Sequence, residues 1–449
     1  MKKWSVCRPY VHLGLALLMI GPAGCSGTSQ DRTPVKAGFS PARLIDPVAQ
    51  CDANTLLNWD DLTVIADKIK EDHKPKVLPP QKNVLVISGG GAFGAYPAGL
   101  LVGWTEAGTR PNFDVVTGIS TGALIAVFAF AGPEYDPLLR QYYTSVTNKD
   151  VYKMKSILRG LLSESLADST PMRDKIAETT TPEVIAKVAA EHRKGRRLYI
   201  GTTDLDARRP VIWDMGAIAC DDTEGARDLF RMVMLASASI PGFFPPVRIP
   251  VTINGEKFVE RHVDGGVTSA LFVRPPWLPP EQRRDPTKSG LYGSNMYVMV
   301  AGKLYADQEE VRSRSLAVLG SSVSTLLYTQ ARDELFKLYF ASALTGMNFK
   351  LSSVPEDVEC KIDSTEFNPE AMSRLFEEGR SRAKSKDLWR TTPPGSLPRE
   401  VPAFRGSIRL DYLPPNDDSM FLPPVPKPKS DLPTPANIRE TFTGDPLMK

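Results

Sequence analysis

A chain of 449 residues with 42% hydrophobic content can bury an ample core and has room for two or three domains. Its 55 Lys and Arg stand against 52 Asp and Glu, a net charge of +3, and 24% charged content is that of an ordinary globular protein. Nothing in that balance calls for nucleic acid or another polyanion as partner, and no C-x-x-C or Cys/His spacing suggests a metal site.

Lys2, Lys3 and Arg8 make a positive leader, and Val11 to Ala23 is apolar apart from His12. That stretch falls short of the ~20 apolar residues of a spanning helix and ends in small residues, the pattern of an export signal. Ala23-Gly24-Cys25 resembles a bacterial lipobox, with Pro22 where Leu is usual. Residues 1–24 therefore read as a signal peptide, with Cys25 as a lipidated first residue of the mature chain. The alternative is a plain secretory signal with a free Cys25. Ser26 in place of aspartate points, by the same resemblance, to the outer membrane of a bacterial envelope, facing the periplasm. Residues 25–50 read as a tether. Residues 51–81 read as a helical lead-in, with Leu57, Leu62, Val64 and Ile65 as the apolar side of a helix. Cys51, Cys220 and Cys360 leave an odd number of thiols whose pairing the sequence does not set.

The catalytic unit is expected at 82–305. Asn83 to Ser88 reads as a buried parallel strand running into Gly89-Gly90-Gly91-Ala92-Phe93-Gly94, with a helix from Ala95 to Ala107. A second strand, Val115-Val116-Thr117, ends at Gly118-Ile119-Ser120-Thr121-Gly122. This is G-x-S-x-G, the form of a nucleophile elbow, in which Cβ atoms two residues either side of the serine would clash. Both loops then lie at the carboxyl ends of adjacent parallel strands, where ligands bind in open α/β sheets. One can supply a nucleophile and the other backbone N–H donors for an oxyanion. Gly89-x-Gly91-x-x-Gly94 also fits the dinucleotide fingerprint. The acid at the required spacing, Asp114, precedes its strand and so sits at the wrong end of the sheet; no nucleotide is expected.

Farther on, Leu138 to Leu162 reads as helical, and Arg197 to Thr203 as a strand turned by Asp204 and Asp206. Leu229 to Ser237 reads as a helix before a Pro-rich stretch containing Phe243 and Phe244. Phe258 to Asp264 is a strand entering the turn Gly265-Gly266. A desolvated carboxylate there, Asp264, can take a serine proton directly. Tyr297 to Ala301 reads as the last sheet strand. Residues 306–390 read as a helical C-terminal extension, including Val311 to Ala341 and a helix capped by Asn368 with Pro369 in its first turn. Residues 391–449 form a Pro-rich tail.

Together these residues resemble the patatin-like phospholipase family. Gly89–Gly94 resembles its oxyanion loop, Gly118–Gly122 its elbow, Asp264-Gly265-Gly266 its acid motif, and Ala236 to Val247 its segment upstream of the acid. The resemblance implies a three-layer α/β/α fold with a mostly parallel central sheet, and a Ser120–Asp264 dyad that hydrolyses lipid or other esters. It implies Gly89, Gly90, Gly91 and Gly94 at the oxyanion, Gly265 and Gly266 orienting the acid, and no cofactor or metal. Phe93 stands where the family usually carries Arg or Lys, and with Phe243 and Phe244 it is expected to line an acyl pocket. Partners are then a lipid or ester substrate and, through Cys25, a membrane. The competing class is a catalytically silent scaffold or binding lipoprotein of the same fold. A rival proton path, Ser120–Asp204–His262, is the one histidine triad compatible with the order Ser, acid, His.

Overall fold

The computed structural model describes residues 59–156, 162–273, 285–304, 311, 315–358 and 363–394. Cys25, the tether, Cys51, Leu57, Cys360 and the Pro-rich tail beyond residue 394 lie outside them.

Eight strands make the central sheet, the inner ones apolar runs with turn residues at their ends. They are Asn83–Ile87 (β1), Val115–Gly118 (β2), Arg197–Asp204 (β3), Arg209–Asp214 (β4), Val247–Ile253 (β5), Glu256–Asp264 (β6), Asn295–Lys303 (β7) and Asn348–Val354 (β8). They join in one eight-stranded sheet, in the order β8-β7-β1-β2-β3-β6-β5, with β4 paired to β3. β8, β7, β1, β2 and β3 are parallel to one another. β4 and β6 run antiparallel to β3, and β5 antiparallel to β6. β1, β2, β3 and β7 are buried along almost their whole length. Strands covered on both faces need apolar residues at every position, which explains why they read as runs rather than alternations.

The helices are Trp59–Asp72 (α1), Ala95–Glu106 (α2), Thr121–Ala131 (α3), Asp136–Ser145 (α4), Thr170–Thr179 (α5), Pro182–Arg193 (α6), Glu224–Ser237 (α7), Ser315–Thr345 (α8) and Pro369–Arg382 (α9). One face of the sheet packs on α2 to α7 and α9, the other on α1 and α8. The fold is thus the mixed α/β, mostly parallel architecture that the motifs imply. α3 is buried at every residue, so it is apolar all round.

Four expectations change. Residues 306–390 are not a helical appendage, because β8 joins the sheet beside β7 and α9 packs on α2. That contact needs small residues: a Cβ on Gly99 would stand 1.9 Å from the Phe376 carbonyl oxygen, and one on Gly379 2.2 Å from that of Tyr96. Tyr297 to Ala301 is part of β7, which therefore is not the last strand. The 138–162 helix stops at Ser145, since Thr147 turns extended and opens a new turn through a capping box with Asp150. Among the α1 residues whose burial is described, which exclude Leu62, Ala66 reaches the core while Val64 and Ile65 are exposed. Cys220 is a free thiol.

Candidate active site

Ser120 ends β2 and opens α3 with φ 55° and ψ −127°, a conformation L residues rarely adopt. Strain of about 1–3 kcal/mol is normal for such a position and persists only where its surroundings over-determine it. They do here. A Cβ on Gly118 would stand 2.3 Å from the Gly122 carbonyl oxygen, and one on Gly122 2.5 Å from those of Ile87 and Ser88. The Ser120 N–H donates to Ser237 Oγ at 3.0 Å, and Ser237 Oγ–H donates to the Gly201 carbonyl at 2.8 Å. The Ser120 side chain makes no capping bond to α3, so its hydroxyl is available for chemistry.

Asp264 closes β6, which pairs with the far half of β3 at Thr202. Its N–H donates to the Ser239 carbonyl at 2.9 Å, and its carboxylate accepts the Gly266 N–H at 2.8 Å. Burial pushes the Asp264 pKa up to about 6, opposed in part by hydrogen bonding from the Ser120 side chain and the Gly266 N–H. The Ala236–Ser239 stretch therefore clasps both partners: Ser237 fixes the serine's backbone, and the Ser239 carbonyl fixes the carboxylate's. Sequence reading placed that stretch correctly but gave its serines no role, because a bare Ser among alanines carries no mark of its partner.

The glycine loop lies alongside. A Cβ on Gly89 would stand 3.0 Å from Ser120 Cβ. Gly90 and Gly91 have φ of 156° and 55°, and Cβ atoms there would meet the carbonyl oxygens of Ala301 and Ser364 at 1.9 and 1.8 Å. The chain then tightens into a 3₁₀ turn over Gly91–Gly94, with the Phe93 N–H on the Gly90 carbonyl at 3.1 Å and the Ala92 N–H on that of Ser364 at 2.9 Å. Gly94 has a different task from the other three. It sits inside that turn, and a Cβ there would meet Thr121 Oγ1 at 2.3 Å.

A narrow cleft of about 470 Å³, its open mouth included, leads from Ser120 and Gly91 between Leu124, Tyr142, Tyr143, Met172, Phe243 and Phe244. Phe243 and Phe244 are where the sequence places them. Phe93 is not, because the 3₁₀ turn presents Gly91 to the cleft and leaves Phe93 half-buried against the core instead. The tyrosines of α4 are an unforeseen wall. The hydroxyls of Tyr143 and Thr121 are 2.6 Å apart, and burial pushes the Tyr143 pKa far up, so it stays a neutral phenol. Ser364, Thr365 and Phe367, some 240 residues beyond the nucleophile in sequence, complete the wall.

The histidine route is not assembled. His262 is fully buried, with Nδ1 3.0 Å from Thr202 Oγ1 and Nε2 3.0 Å from Glu260 Oε2. Asp204 accepts the N–H groups of Asp206 and Ala207 at 3.2 and 3.1 Å, the turn role its sequence position suggests. Asp114 accepts the Asn83 N–H at 2.7 Å at the opposite end of the sheet from Ser120, away from the glycine loop. Among the described residues no three of His, Cys, Asp and Glu converge as metal ligands.

A strained serine beside a buried carboxylate thus stands at the carboxyl edge of the parallel strands. Residues 85–277 match the sequence profile described as Patatin-like phospholipase, and that segment is a domain of this family. The match supports lipid hydrolase activity in the broad sense. A comparison with curated proteins gives no match. Among solved structures, VipD from Legionella pneumophila is similar at 12% identity and a TM-score of 0.31, over 68% of this chain and 66% of that one. Full-length ExoU with SpcU, from the type III secretion system of Pseudomonas aeruginosa, is similar at 13% identity and a TM-score of 0.26, over 68% of this chain and 52% of that one. The chain thus spans less than two thirds of either neighbour, and scores so low carry no more than the likeness itself.

Proposed function

We propose that this chain is a lipid acyl hydrolase of the phospholipase A or lysophospholipase type, working through a Ser120–Asp264 dyad. The observation that carries the reading is the Asp264 carboxylate, buried beside the Ser120 hydroxyl with its pKa raised to about 6. An ionised carboxylate of that pKa is a competent base at neutral pH and a competent acid once protonated.

Ser120 Oγ attacks the ester carbonyl carbon while its proton passes to Asp264. The carbonyl oxygen takes up the negative charge and lies against the N–H groups of Gly89, Gly90 and Gly91, at the N-terminus of α3, whose dipole favours an anion. Collapse expels the alcohol, which leaves with the proton from Asp264, and Ser120 keeps the acyl group. Water then attacks, Asp264 accepts its proton, and the carboxylic acid departs as Ser120 is reprotonated. The alkyl chain lies between Leu124, Met172, Phe243 and Phe244, an apolar wall suited to it. Turnover of a panel of phospholipids, lysophospholipids, neutral lipids and small esters, with products identified by mass spectrometry, tests this reading. Release of fatty acid from a lipid supports it; an inert panel contradicts it.

The proton path sets a pH dependence. Asp264 must be ionised, so kcat/KM should climb about ten-fold per pH unit below about 6 and level off above it. A pH profile with a soluble ester checks this, and a flat limb between pH 4 and 6 counts against the carboxylate base.

We further propose that the protein is an envelope lipoprotein, which rests on the signal-like leader and Cys25. Cys25→Ser should abolish acyl incorporation and release the protein from the membrane fraction. Recovery of the wild-type protein as a soluble, non-acylated species is the contrary result.

A further inference from the structure

The helix α8 is twice as long as the sheet needs. It returns the chain from the carboxyl end of β7 to the start of β8, and among its residues whose burial is described the core is reached in the last part, where Leu335, Leu338, Tyr339, Ser342 and Ala343 are buried. Its level is fixed by Glu334, whose carboxylate accepts Ser269 Oγ–H at 2.8 Å and the Leu271 N–H at 2.7 Å, just past the turn that carries Asp264. The residues before that point continue the helix beyond this contact with the segment that follows Asp264. At 1.5 Å per residue, residues 315–330 extend the helix by about 24 Å.

This extension has an unusual composition. Ser315 to Ala331 contains no charged residue, only aliphatic and small residues, one tyrosine, one glutamine and six Ser or Thr. Val318, Leu326 and Leu327 are 51, 68 and 40% exposed. Three hydroxyls of this stretch bond back to their own helix. Ser322 Oγ–H donates to the Val318 carbonyl at 2.8 Å, Thr325 to Ser321 at 2.8 Å and Thr329 to Thr325 at 3.0 Å. Hydroxyls folded back on their own helix lower the cost of leaving water. No helix among the described residues is long and apolar enough to cross a membrane.

We propose that residues 315–330 dock this protein on a lipid surface, lying in the interface of a neutral or zwitterionic bilayer with Leu326 and Leu327 inserted. With exposed leucines, three hydroxyls bonded back to the helix and no Lys or Arg, residues 315–330 fit a surface that offers packing defects rather than anionic charge. The choice of lipid as occupant rests on the hydrolase reading; binding itself does not require turnover.

The test is sedimentation of the full chain, carrying Cys25→Ser so that no acyl group at that position contributes, with phosphatidylcholine vesicles of two diameters. The expected result is binding that strengthens on the smaller, more defect-rich vesicles and changes little with salt. Leu326→Glu with Leu327→Glu should weaken partitioning ten-fold or more, while turnover of a soluble short-chain ester and the thermal melt stay as in the parent. Leu326→Gln with Leu327→Gln, a milder change, should give the same direction should the charged pair fold poorly. Vesicle binding unaltered in these variants overturns the proposal, as does binding that disappears in high salt. Self-association through these leucines without vesicle binding also overturns it, and assigns the helix to a second copy of the chain. An inert soluble ester alongside intact, leucine-dependent vesicle binding would condemn the hydrolase reading and leave the docking surface standing.

Discussion

Ser120→Ala is expected to abolish ester turnover, by three orders of magnitude or more, and to leave the melting temperature almost unchanged. Only one oxygen is lost, and the bonds that hold the elbow run through the Ser120 N–H and Ser237 rather than through the Ser120 hydroxyl. The strained φ of 55° stays, because alanine also carries a Cβ. Ser120→Gly should be equally inactive and more stable by about 1–3 kcal/mol, since glycine adopts this conformation without strain. Thermal melts of the three proteins beside a chromogenic ester assay check both parts. Comparable turnover by the alanine variant would remove Ser120 from the chemistry.

The second large effect separates the two proton paths. Asp264→Asn should lose most of kcat, whereas His262→Gln should lose about ten-fold or less, on the order of 1.4 kcal/mol of barrier. A triad histidine would cost several orders of magnitude more. The asymmetry follows from geometry: the Asp264 carboxylate interacts with Ser120, while both ring nitrogens of His262 face Thr202 and Glu260. A stability signature accompanies it. The carboxyl pKa is raised on folding from 3.8 to about 6, so the buried charge opposes folding. That destabilisation grows as pH rises from 3.8 and is complete above about 6, where it amounts to roughly 3 kcal/mol. Asp264→Asn should therefore melt higher than wild type at pH 7, with the difference vanishing below pH 4. A dead His262→Gln with a surviving Asp264→Asn would reinstate the histidine triad.

Much of the site was legible because it rests on local constraints. G-x-S-x-G, the glycine loop and Asp264-Gly265-Gly266 each mark a place where backbone meets backbone, and the close approaches at Gly90, Gly118 and Gly122 are the reason. The central strands were legible because burial on both faces forces continuous apolar runs. What stayed hidden is nonlocal. Ser237 is an unremarkable serine until its partners are known, and Tyr143 and Phe367 become cleft wall only when α4 and the approach to α9 fold across α3. β8 was missed because Asn348–Val354 mixes Lys and Ser with apolar residues, as an edge strand covered unevenly allows. Val64 and Ile65 were misread because the smaller Ala66 beside them is the one of the three that touches the core.

Reaction of the wild-type protein with a serine-reactive fluorophosphonate, followed by digestion and mass spectrometry of the adduct, addresses the nucleophile itself without choosing a substrate. The prediction is a single stoichiometric adduct on Ser120, formed faster as pH rises through about 6 with the ionisation of Asp264 and absent from Ser120→Ala. An adduct on another serine, or no adduct on a folded protein, would contradict the assignment.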